Sequence, residues 1–396
     1  MKIAYVTSHF PFGPGEAFLE AEAAALARLC EEVIVIPTRP RGTRSRYPDL
    51  PARSIRLDAF AWRTLGLAAR EGIRRPGQAA SLLVRLMRRR YRLRTKLKNL
   101  LLYPKALAVA SVCRRESVDH IHAHWLSTPS TVAYVAAEMT GIPWSCTAHR
   151  FDIFEDNLLA DKLASARFVR AISARNLDLV IERSNGTPRE RLAVVHLGVK
   201  LPSSTRPPTT GGTLHILCPA SLVAVKGHRY LIGALAILRR RRVPFCCDLV
   251  GDGPLRERIA YQIAAADLDA VVRIRGAIPH SALMAELSAG DYDLAVLAST
   301  ESGTEFEGIP VALVEAMAAG VPCVATRTGS IAELVDASSG SMLVAQRDVE
   351  ALAAAIASFA DPVRRDACGR LARERVARSF DVRWTADQLF RMIGSS

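Results

Sequence analysis

Two glutamates eight positions apart, Glu307 and Glu315, flank a predicted helix start. Pro310 suits the first helical position, because its fixed φ fits a helix and its missing N–H is not needed there. The helix is predicted over 311–319. The unpaired N–H groups of its first turn favour an anion, whereas the carboxylates favour hydroxyl groups. A ligand with a diphosphate and sugar hydroxyls, such as a nucleotide sugar, meets both demands; two solvated helix-end charges are the alternative.

Lys226 stands ahead of a second predicted helix, 229–242, and is followed by Gly227 and His228. A lysine held against a phosphate contributes on the order of 2 kcal/mol to binding. If a diphosphate gains charge as it leaves, such a cation stabilises the transition state more than the ground state. A surface lysine before a helix is the alternative.

Gly13 and Gly15 lie in a loop that joins the first predicted strand to a helix. Glycine permits the backbone angles and close approach that such a loop needs to present N–H groups to phosphates; a simple turn is the alternative. The loop is neither a GxGxxG fingerprint nor a P-loop, so it does not predict an NAD or ATP site.

Histidines follow or occupy strands of the first half. His149 comes directly after a predicted strand and before Arg150, while His122 and His124 alternate on another strand and share one face. We interpret His122 and His124 as packing or polar-cleft residues, and His149 as either a structural or a ligand-facing group. No metal site is predicted.

These residues need elements that position them, and the chain alternates strand and helix throughout, which predicts α/β domains with parallel sheets. Ligands bind beyond the carboxyl ends of such strands, and the residues above all follow predicted strands. We expect two such sheets to face each other across one cleft. The predicted strands are 2–7, 33–36, 120–123, 144–148, 168–172 and 193–196 in the first half, then 214–218, 245–250, 271–275, 294–297, 322–325 and 341–344.

At 396 residues the chain is long enough for two domains. We predict a first domain over 1–200 with a basic helical insertion at about 39–115, and a second over 213–378. The stretch 201–212, rich in Pro, Ser, Thr and Gly, is predicted as the linker. A helix within 379–396 is expected to return to the first domain.

Composition favours a cytoplasmic protein. No apolar run reaches the length of a membrane span, and the start resembles a strand rather than a signal peptide. The eight cysteines are scattered without CxxC pairs, which favours reduced thiols over disulfides or zinc.

The net charge of +14 resides in one segment. Residues 39–115 hold 21 Lys plus Arg and three acids, a charge of +18, so the rest carries 14 − 18 = −4. Within it a helix over 82–101 is predicted, which would rest on an anionic membrane or pack on the domain with its basic face in solvent. Nucleic-acid binding is disfavoured, because aromatic residues are sparse and no recognition motif accompanies the charge. The predicted apolar face holds Leu82, Leu86, Leu93, Leu97 and Leu100, the opposite face Arg85, Arg88, Arg92 and Lys96, and Arg89 and Arg90 interrupt the apolar side.

Several segments in order resemble the retaining glycosyltransferases of family four, which have the two-domain GT-B fold. The strongest resemblance is GIPVALVEAMAAGVPCVAT from Gly308 to Thr326, followed by GSIAELV from Gly329. The resemblance spans nearly the whole chain except about 38–115. The other matching segments are YVTSHFPFGPGEAFLE (5–20), HIHAHW (120–125), TAHRFDIF (147–154), VVHLGV (194–199), LVGDGPL (249–255) and RGAIPH (275–280).

The resemblance implies roles for individual residues. Glu315 is expected to accept hydrogen bonds from the ribose, and His149 and Glu307 to face the transferred sugar. His124 and Arg150 are expected on the acceptor side. It implies no metal and no cofactor, and it favours front-face departure and attack over a covalent glycosyl-enzyme. The expected donor-binding residues are Gly13, Gly15, Ser221, Lys226, Gly251, Ile278, Gly308, Ile309, Pro310, Val311 and Glu315.

One position departs from the family pattern. Where the family carries Gly-Arg-Leu, this chain has Ala220-Ser221-Leu222. The arginine that would share the diphosphate with Lys226 is missing, and Arg150 would compensate in part.

The sequence therefore predicts a metal-independent retaining glycosyltransferase at the inner membrane face. The expected donor is a UDP- or GDP-linked sugar, and the acceptor a glycan or lipid-linked glycan of a bacterial surface. A catalytically weak nucleotide-sugar or glycan-binding protein of the same fold is the alternative.

Overall fold

The computed structural model describes residues 1–13, 15–43, 45–88, 93–155, 157–184, 186–203, 206–207, 211–303 and 305–395. The chain divides into two compact units. Unit 1 consists of Met1–Leu197 with Arg383–Ser396, and unit 2 of Gly198–Val382.

Unit 1 is built on a seven-stranded sheet in the order β3-β2-β1-β4-β5-β6-β7. Every strand pair in it is parallel, and its central strands are almost wholly buried, as a sheet covered on both faces requires. The strands are β1 (Lys2–Thr7), β2 (Glu32–Pro37), β3 (Arg53–Ser54), β4 (His120–His124), β5 (Trp144–Ala148), β6 (Val169–Ala171) and β7 (Leu192–Val194).

Helices cover this sheet, and the two halves of the longest helix, α4, differ in burial. Its second half, from Ala106 to Cys113, is buried against α5 and the sheet, whereas its first half bears exposed leucines. The unit 1 helices before the second unit are α1 (Leu19–Leu26), α2 (Trp62–Arg74), α3 (Pro76–Leu86), α4 (Leu93–Arg115), α5 (Thr128–Thr140), α6 (Arg150–Glu155), α7 (Leu159–Ser165) and α8 (Ala174–Arg183).

The single helix predicted over 82–101 is wrong. α3 ends at Leu86, and the next two residues, Met87 and Arg88, are not helical. Leu82 and Leu86 are 1% exposed, but Leu93 is 82% and Leu97 55% exposed. Leu100 is also exposed, and the predicted positions Arg89, Arg90 and Arg92 lie outside the described residues.

Two arginines of the predicted basic face are partly exposed, 40% for Arg85 and 47% for Arg88, and both are ion-paired within unit 1. The Arg85 guanidinium lies 3.2 Å from Glu138, and that of Arg88 lies 3.4 Å from Asp161. The segment is not entirely helical either, since it contributes the short edge strand β3.

Unit 2 has a six-stranded sheet in the order β10-β9-β8-β11-β12-β13, again entirely parallel. The α/β prediction with parallel sheets is confirmed for both units. The strands are β8 (Leu214–Pro219), β9 (Phe245–Val250), β10 (Val272–Gly276), β11 (Leu294–Leu297), β12 (Cys323–Thr326) and β13 (Met342–Val344). The helices are α9 (His228–Arg240), α10 (Arg256–Ala265), α11 (His280–Ala289), α12 (Val311–Ala318), α13 (Val349–Ala357) and α14 (Pro362–Ser379), and α15 (Val382–Gly394) follows, lying in unit 1 from Arg383.

Part of the predicted linker is fixed to unit 2. Arg206 is largely buried, donates to the carbonyls of Tyr292 and Gly320 at 3.1 Å each, and pairs with Asp366 at 3.2 Å. Unit 2 accordingly begins at Gly198, ahead of that linker. No helix among the described residues combines the length and apolar character needed to cross a membrane.

Candidate functional site

Lys226 and Glu307 form an ion pair at the carboxyl edge of the unit 2 sheet. The Lys226 Nζ lies 2.6 Å from Glu307 Oε1, and the Ser299 hydroxyl donates to the same oxygen at 3.1 Å. Both side chains keep some exposure, 20% for Lys226 and 11% for Glu307. Two residues 81 positions apart, with separately predicted roles, therefore touch each other.

Close backbone contacts bring these loops together. A Cβ on Gly329, whose φ is 54°, would lie 1.6 Å from the Glu307 carbonyl oxygen. A Cβ on Gly227 would lie 1.9 Å from the Ala298 oxygen, and one on Gly251 would lie 2.1 Å from the Ala220 oxygen. Only glycine permits these approaches, so the strand-end loops after β8, β9, β11 and β12 are packed backbone to backbone.

The helix predicted between the glutamates is present as α12, with Pro310 at the N-cap position rather than in the first turn. The N–H groups of Leu313 and Val314 donate to the Pro310 carbonyl, and the N–H groups ahead of them are the ones a helix leaves unpaired. Glu315 sits in the second turn and its Oε1 lies 2.7 Å from His280 Nε2. The first turn is thus a candidate anion site, with Glu307 ahead of it in the chain and Glu315 after it.

The remaining predicted donor-binding residues of unit 2 lie on the same sheet edge. Ser221 is exposed in the loop after β8, and its backbone N would lie 3.2 Å from a Cβ on Gly251. Ile278, Ile309 and Val311 are partly buried against the core of unit 2, and Gly308 precedes them at the helix start.

In unit 1, the loop with Gly13 and Gly15 folds around the buried carboxylate of Glu16. That carboxylate accepts hydrogen bonds from the N–H groups of His9 at 2.5 Å and Phe10 at 2.7 Å, and from the Trp125 indole. A Cβ on Gly13 would lie 2.8 Å from the His9 Cβ, and Gly15 has φ 94°. The loop's N–H groups at His9 and Phe10 are therefore already satisfied within the protein.

A chain of buried polar side chains leads to His149. Its Nε2 lies 2.8 Å from His124 Nε2, and His124 Nδ1 lies 2.9 Å from the Tyr5 hydroxyl. Tyr5 donates to Glu22 at 2.6 Å. Arg170, fully buried, closes the chain with an ion pair to Glu22 at 2.6 Å.

The charge of Glu22 decides which group donates in the hydrogen bonds that follow it. Burial alone would raise the pKa of Glu22, but the Arg170 guanidinium and the hydrogen bonds from its neighbours hold that pKa well below its usual range. The ionised Glu22 accepts a hydrogen bond from the Tyr5 hydroxyl. The Tyr5 oxygen in turn accepts a hydrogen bond from His124 Nδ1–H. His124 Nε2 and His149 Nε2 share the next hydrogen bond. Burial holds the pKa of His149 well below its usual value, so His149 is neutral.

Trp125 and Asp152 hold the surroundings of His149 in place. Trp125 has φ 100°, a backbone conformation that bulky residues rarely adopt, and its ring stacks on His149 with centroids 4.0 Å apart. The Asp152 carboxylate accepts from the N–H groups of His149 at 2.8 Å and Leu126 at 2.6 Å. Arg150, at the start of α6, lies over the Phe151 ring at 3.8 Å.

His122 takes the structural role assigned to it. Its two ring nitrogens lie 2.8 and 2.9 Å from the hydroxyls of Ser145 and Thr147 on β5. Across the described part of the chain, no three His, Cys, Asp or Glu side chains cluster so as to hold a metal ion.

Sequence reasoning missed Tyr5, Glu16, Glu22 and Arg170, which carry the polar framework of unit 1. Glu22 contacts Arg170 across 148 positions, and Tyr5 contacts His124 across 119. The one available signal was the presence of charged residues within apolar segments. A charged residue that is buried in such a segment must have a partner elsewhere in the fold.

Residues 206–375 match the model of the family described as glycosyl transferases group 1. WcaL of Salmonella typhimurium, named provisionally as a colanic acid biosynthesis glycosyltransferase, is 34% identical over 216 residues, 53% of this chain and 53% of WcaL. AmsK of Erwinia amylovora, an amylovoran biosynthesis glycosyltransferase, is 32% identical over 176 residues, 43% of this chain and 42% of AmsK. The chain spans about half the length of the curated relatives it matches.

Solved structures share the fold along the whole chain. HepE of Anabaena in complex with UDP matches with a TM-score of 0.74 at 19% identity, covering 100% of both chains. A glycosyltransferase from Rickettsia africae matches with a TM-score of 0.72 at 18% identity, covering 100% of this chain and 99% of its own. At such identities the likeness establishes the fold, which is GT-B as predicted.

Proposed function

We propose that the chain is a retaining glycosyltransferase of family four, since residues 206–375 match the model of glycosyl transferases group 1. It moves a sugar from a UDP- or GDP-linked donor to a lipid-linked or polysaccharide acceptor in the synthesis of a bacterial surface glycan. The reaction needs no metal and no cofactor, and takes place at the cytoplasmic face of the membrane.

One observation carries the proposal: the Lys226–Glu307 pair at 2.6 Å, beside the first turn of α12. A nucleotide sugar carries a diphosphate, which matches the cation and the helix N-terminus. It also carries sugar hydroxyl groups, which match the carboxylates. The donor displaces Glu307 from Lys226 with its diphosphate, and Glu307 then accepts hydrogen bonds from the sugar hydroxyls. Glu315 accepts those of the ribose.

In the transfer step the bond between the anomeric carbon and the diphosphate oxygen breaks, and its electron pair leaves with the nucleoside diphosphate. The acceptor hydroxyl oxygen bonds to the anomeric carbon from the same face. Its proton passes to the departing phosphate. Lys226 stabilises the charge that develops on that phosphate, which is a transition-state effect.

The relatives support the glycan class. Two bear names of exopolysaccharide synthesis, and GDP-mannose-dependent mannosyltransferases from mycobacteria are 31% and 36% identical over shorter stretches. Structural neighbours hold UDP or UDP-glucose. These names leave the nucleotide base open, so both UDP and GDP donors belong in the test.

Contact with an anionic membrane is the second part of the proposal. A groove of about 480 Å³ on unit 1 is lined by exposed apolar side chains, Phe60, Leu97 and Leu101, and by the cations Arg94 and Lys98. Such a surface suits acyl chains below a layer of anionic headgroups.

A glycan- or nucleotide-sugar-binding protein with weak catalysis is the second candidate, favoured by Ser221. Its hydroxyl supplies one hydrogen bond where the family places a second cation.

Donor screening tests the main proposal. Among UDP-, GDP- and ADP-sugars, one at 100 times its Kd should raise the free energy of unfolding by about 2.7 kcal/mol. With that donor, Glu307→Gln and Glu315→Gln should each lower transfer about 100-fold or more, with unchanged unfolding curves. NMR of the first product should show the donor's anomeric configuration. Wild-type turnover in both variants would contradict the proposed roles of the two glutamates. Donor binding by the wild type without any turnover would favour the second candidate, the binding protein with weak catalysis.

Vesicle sedimentation tests the membrane part. The protein should co-sediment with anionic vesicles and be released by salt, because the attraction decays within about 10 Å at 0.1 M. Leu97→Ser with Leu101→Ser should weaken this binding, whereas Val363→Ser, at a still more exposed apolar residue of unit 2, should not. Equal binding to neutral and anionic vesicles would contradict it.

A further inference from the structure

The loop between β4 and α5, residues 125–127, carries the tryptophan that stacks on His149. Trp125 has φ 100°, and a bulky residue keeps such a conformation only where the surrounding structure holds it there. The groups that hold the main chain of this loop therefore decide where the indole ring lies, and with it one face of the His149 ring.

Asp152 holds the loop from one side. Its carboxylate accepts hydrogen bonds from the Leu126 N–H at 2.6 Å and from the His149 N–H at 2.8 Å. One oxygen, Oδ2, takes the first of these bonds and Oδ1 takes the second, which is the pattern of an ionised carboxylate. The loop and the histidine are thus fixed to the same group.

Lys162 holds the loop from the other side. It lies on α7 and is 0% exposed, and its Nζ donates to the carbonyls of Leu126 and Ser127 at 2.8 Å each. Leu126 therefore has a carboxylate at its N–H and an amine at its carbonyl. Because one group binds two successive carbonyls, the main chain between Trp125 and α5 has little freedom to move.

A cation is unfavourable at this position. The Ser127 carbonyl also accepts from the Thr131 N–H of α5, so the amine lies at the helix end that favours anions. Burial lowers the pKa of Lys162 to about 7 and raises the pKa of Asp152 to about 8. Two apolar side chains would fill these positions with equal or greater stability, which points to a role for the bonds that the amine makes with the loop.

We propose that Lys162 is a positioning residue for His149: through the two loop carbonyls it keeps the Trp125 ring against the histidine, in the orientation that transfer needs. This inference rests on the proposed transfer reaction, for which His149 is the expected sugar-facing residue of unit 1. Since Lys162 is fully buried, it acts through the loop and not on the substrate itself.

Lys162→Met tests the proposal, and Lys105→Met is its matched control. Lys105 is also a buried lysine of unit 1, and its Nζ also donates to two carbonyls, those of Thr38 and Leu57. Lys162→Met should lower kcat for transfer about tenfold or more. The KM for the donor should stay within about twofold, because the donor is bound by unit 2. Lys105→Met should change neither constant.

NMR cross-peaks of the indole N–H groups give a readout that needs no turnover. The Trp125 indole donates to Glu16, whereas the Trp144 indole donates at 3.1 Å to Ser165, on the same helix as Lys162. Lys162→Met should shift or broaden the Trp125 cross-peak, which Trp125→Phe identifies, and leave that of Trp144 in place. Equal changes in both cross-peaks would show that α7 as a whole has moved, and would overturn the proposal.

Lys162→Gln is the second variant, and it decides the test if Lys162→Met does not fold. Its amide donates to one of the two carbonyls, so kcat should fall less than in Lys162→Met, by about threefold. Unchanged kcat in the folded variants would overturn the proposal, and so would a fall in kcat without a change at Trp125 or an equal fall in Lys105→Met. If the wild type shows no turnover, the proposed function fails, and the cross-peaks alone decide whether Lys162 holds the indole ring.

Discussion

In both units the candidate functional residues lie at the carboxyl edge of a parallel sheet. The two sets differ in their charge and in their exposure to solvent. In unit 2 the groups are ionic and partly exposed, with Lys226 on Glu307 and His280 beside Glu315. In unit 1 His149 is buried, and its ring lies against a histidine, an indole and a phenylalanine ring.

An ion pair near solvent exchanges partners at little cost, because water and ligand charges replace the lost contact. A buried chain of hydrogen bonds cannot reorganise without leaving a polar group unsatisfied. Unit 2 is therefore suited to binding a charged ligand and releasing a more highly charged product. Unit 1 is suited to holding one neutral side chain in one tautomer and orientation.

The largest effect should come from a methyl group on Gly329. Gly329→Ala places its Cβ 1.6 Å from the Glu307 carbonyl oxygen and should lower the free energy of unfolding of unit 2 by about 4 kcal/mol. Gly303→Ala is the matched control, because Gly303 has a similar φ of 58° but no atom within 4 Å. It should cost about 1 kcal/mol. Equal losses in urea titrations would show that the loops are not closed by this contact.

Next in size is the loss of the exposed cation. Lys226→Ala should weaken UDP or GDP binding by about 2 kcal/mol, about 30-fold, because the diphosphate loses a charge-assisted hydrogen bond. Ser221→Arg should tighten it, by supplying the cation that the family pattern has there. Lys200→Ala, an exposed lysine of the same unit, serves as control in calorimetry. No change in either test variant would place the diphosphate elsewhere.

Tyr5→Phe tests the buried hydrogen-bond chain that leads from Glu22 to His149. The variant leaves the Glu22–Arg170 pair in place but removes the acceptor of His124 Nδ1–H, so it should cost about 1 kcal/mol of stability and lower transfer about tenfold. Nitrogen chemical shifts should show that His149 no longer holds one tautomer.

Tyr103→Phe is the control for this variant, because it removes a part-buried hydrogen bond from a tyrosine hydroxyl to the Ala79 carbonyl, away from the residues around His149. It should cost similar stability without altering turnover. Unchanged turnover and unchanged histidine shifts in Tyr5→Phe would make the chain purely structural.

The effect that is smallest per step, at about 1 kcal/mol for each pH unit, concerns a buried amine of unit 1. Burial lowers the pKa of Lys105 from 10.5 to about 8, while its Nζ donates to the carbonyls of Thr38 and Leu57. Between these pH values the unfolded chain keeps a proton that the folded chain releases, so this residue makes stability rise with pH, by about 1 kcal/mol per pH unit. Lys105→Met should remove that slope between pH 8 and 10.5. An identical slope in both proteins would contradict it.

The parts of the structure that the sequence predicted depend on local pattern. Buried parallel strands are continuous apolar runs, as in Leu294–Leu297, and α12 begins next to Pro310 as its turn chemistry demands. The Glu307 and Glu315 positions follow from that helix alone.

What the sequence could not predict depends on contacts between distant positions. Nothing local indicates that Lys226 meets Glu307 or that Glu22 meets Arg170, since the fold creates both pairs. The helix predicted over 82–101 failed for a related reason. Its leucine spacing is helical throughout, but α3 ends at Leu86, and periodicity does not register where a helix ends.

The stacking of Trp125 on His149 gives the protein a fluorophore next to its own candidate catalytic residue. Indole emission responds to the polarity of its surroundings and is quenched by a protonated imidazole in contact with it. Of the other tryptophans, Trp144 is buried, whereas Trp62 and Trp384 are exposed. With those two replaced by phenylalanine, the emission that remains comes from Trp144 and Trp125, and Trp125→Phe identifies the share that reports on the histidine. Events at His149 can then be followed by stopped-flow fluorescence without attaching a label.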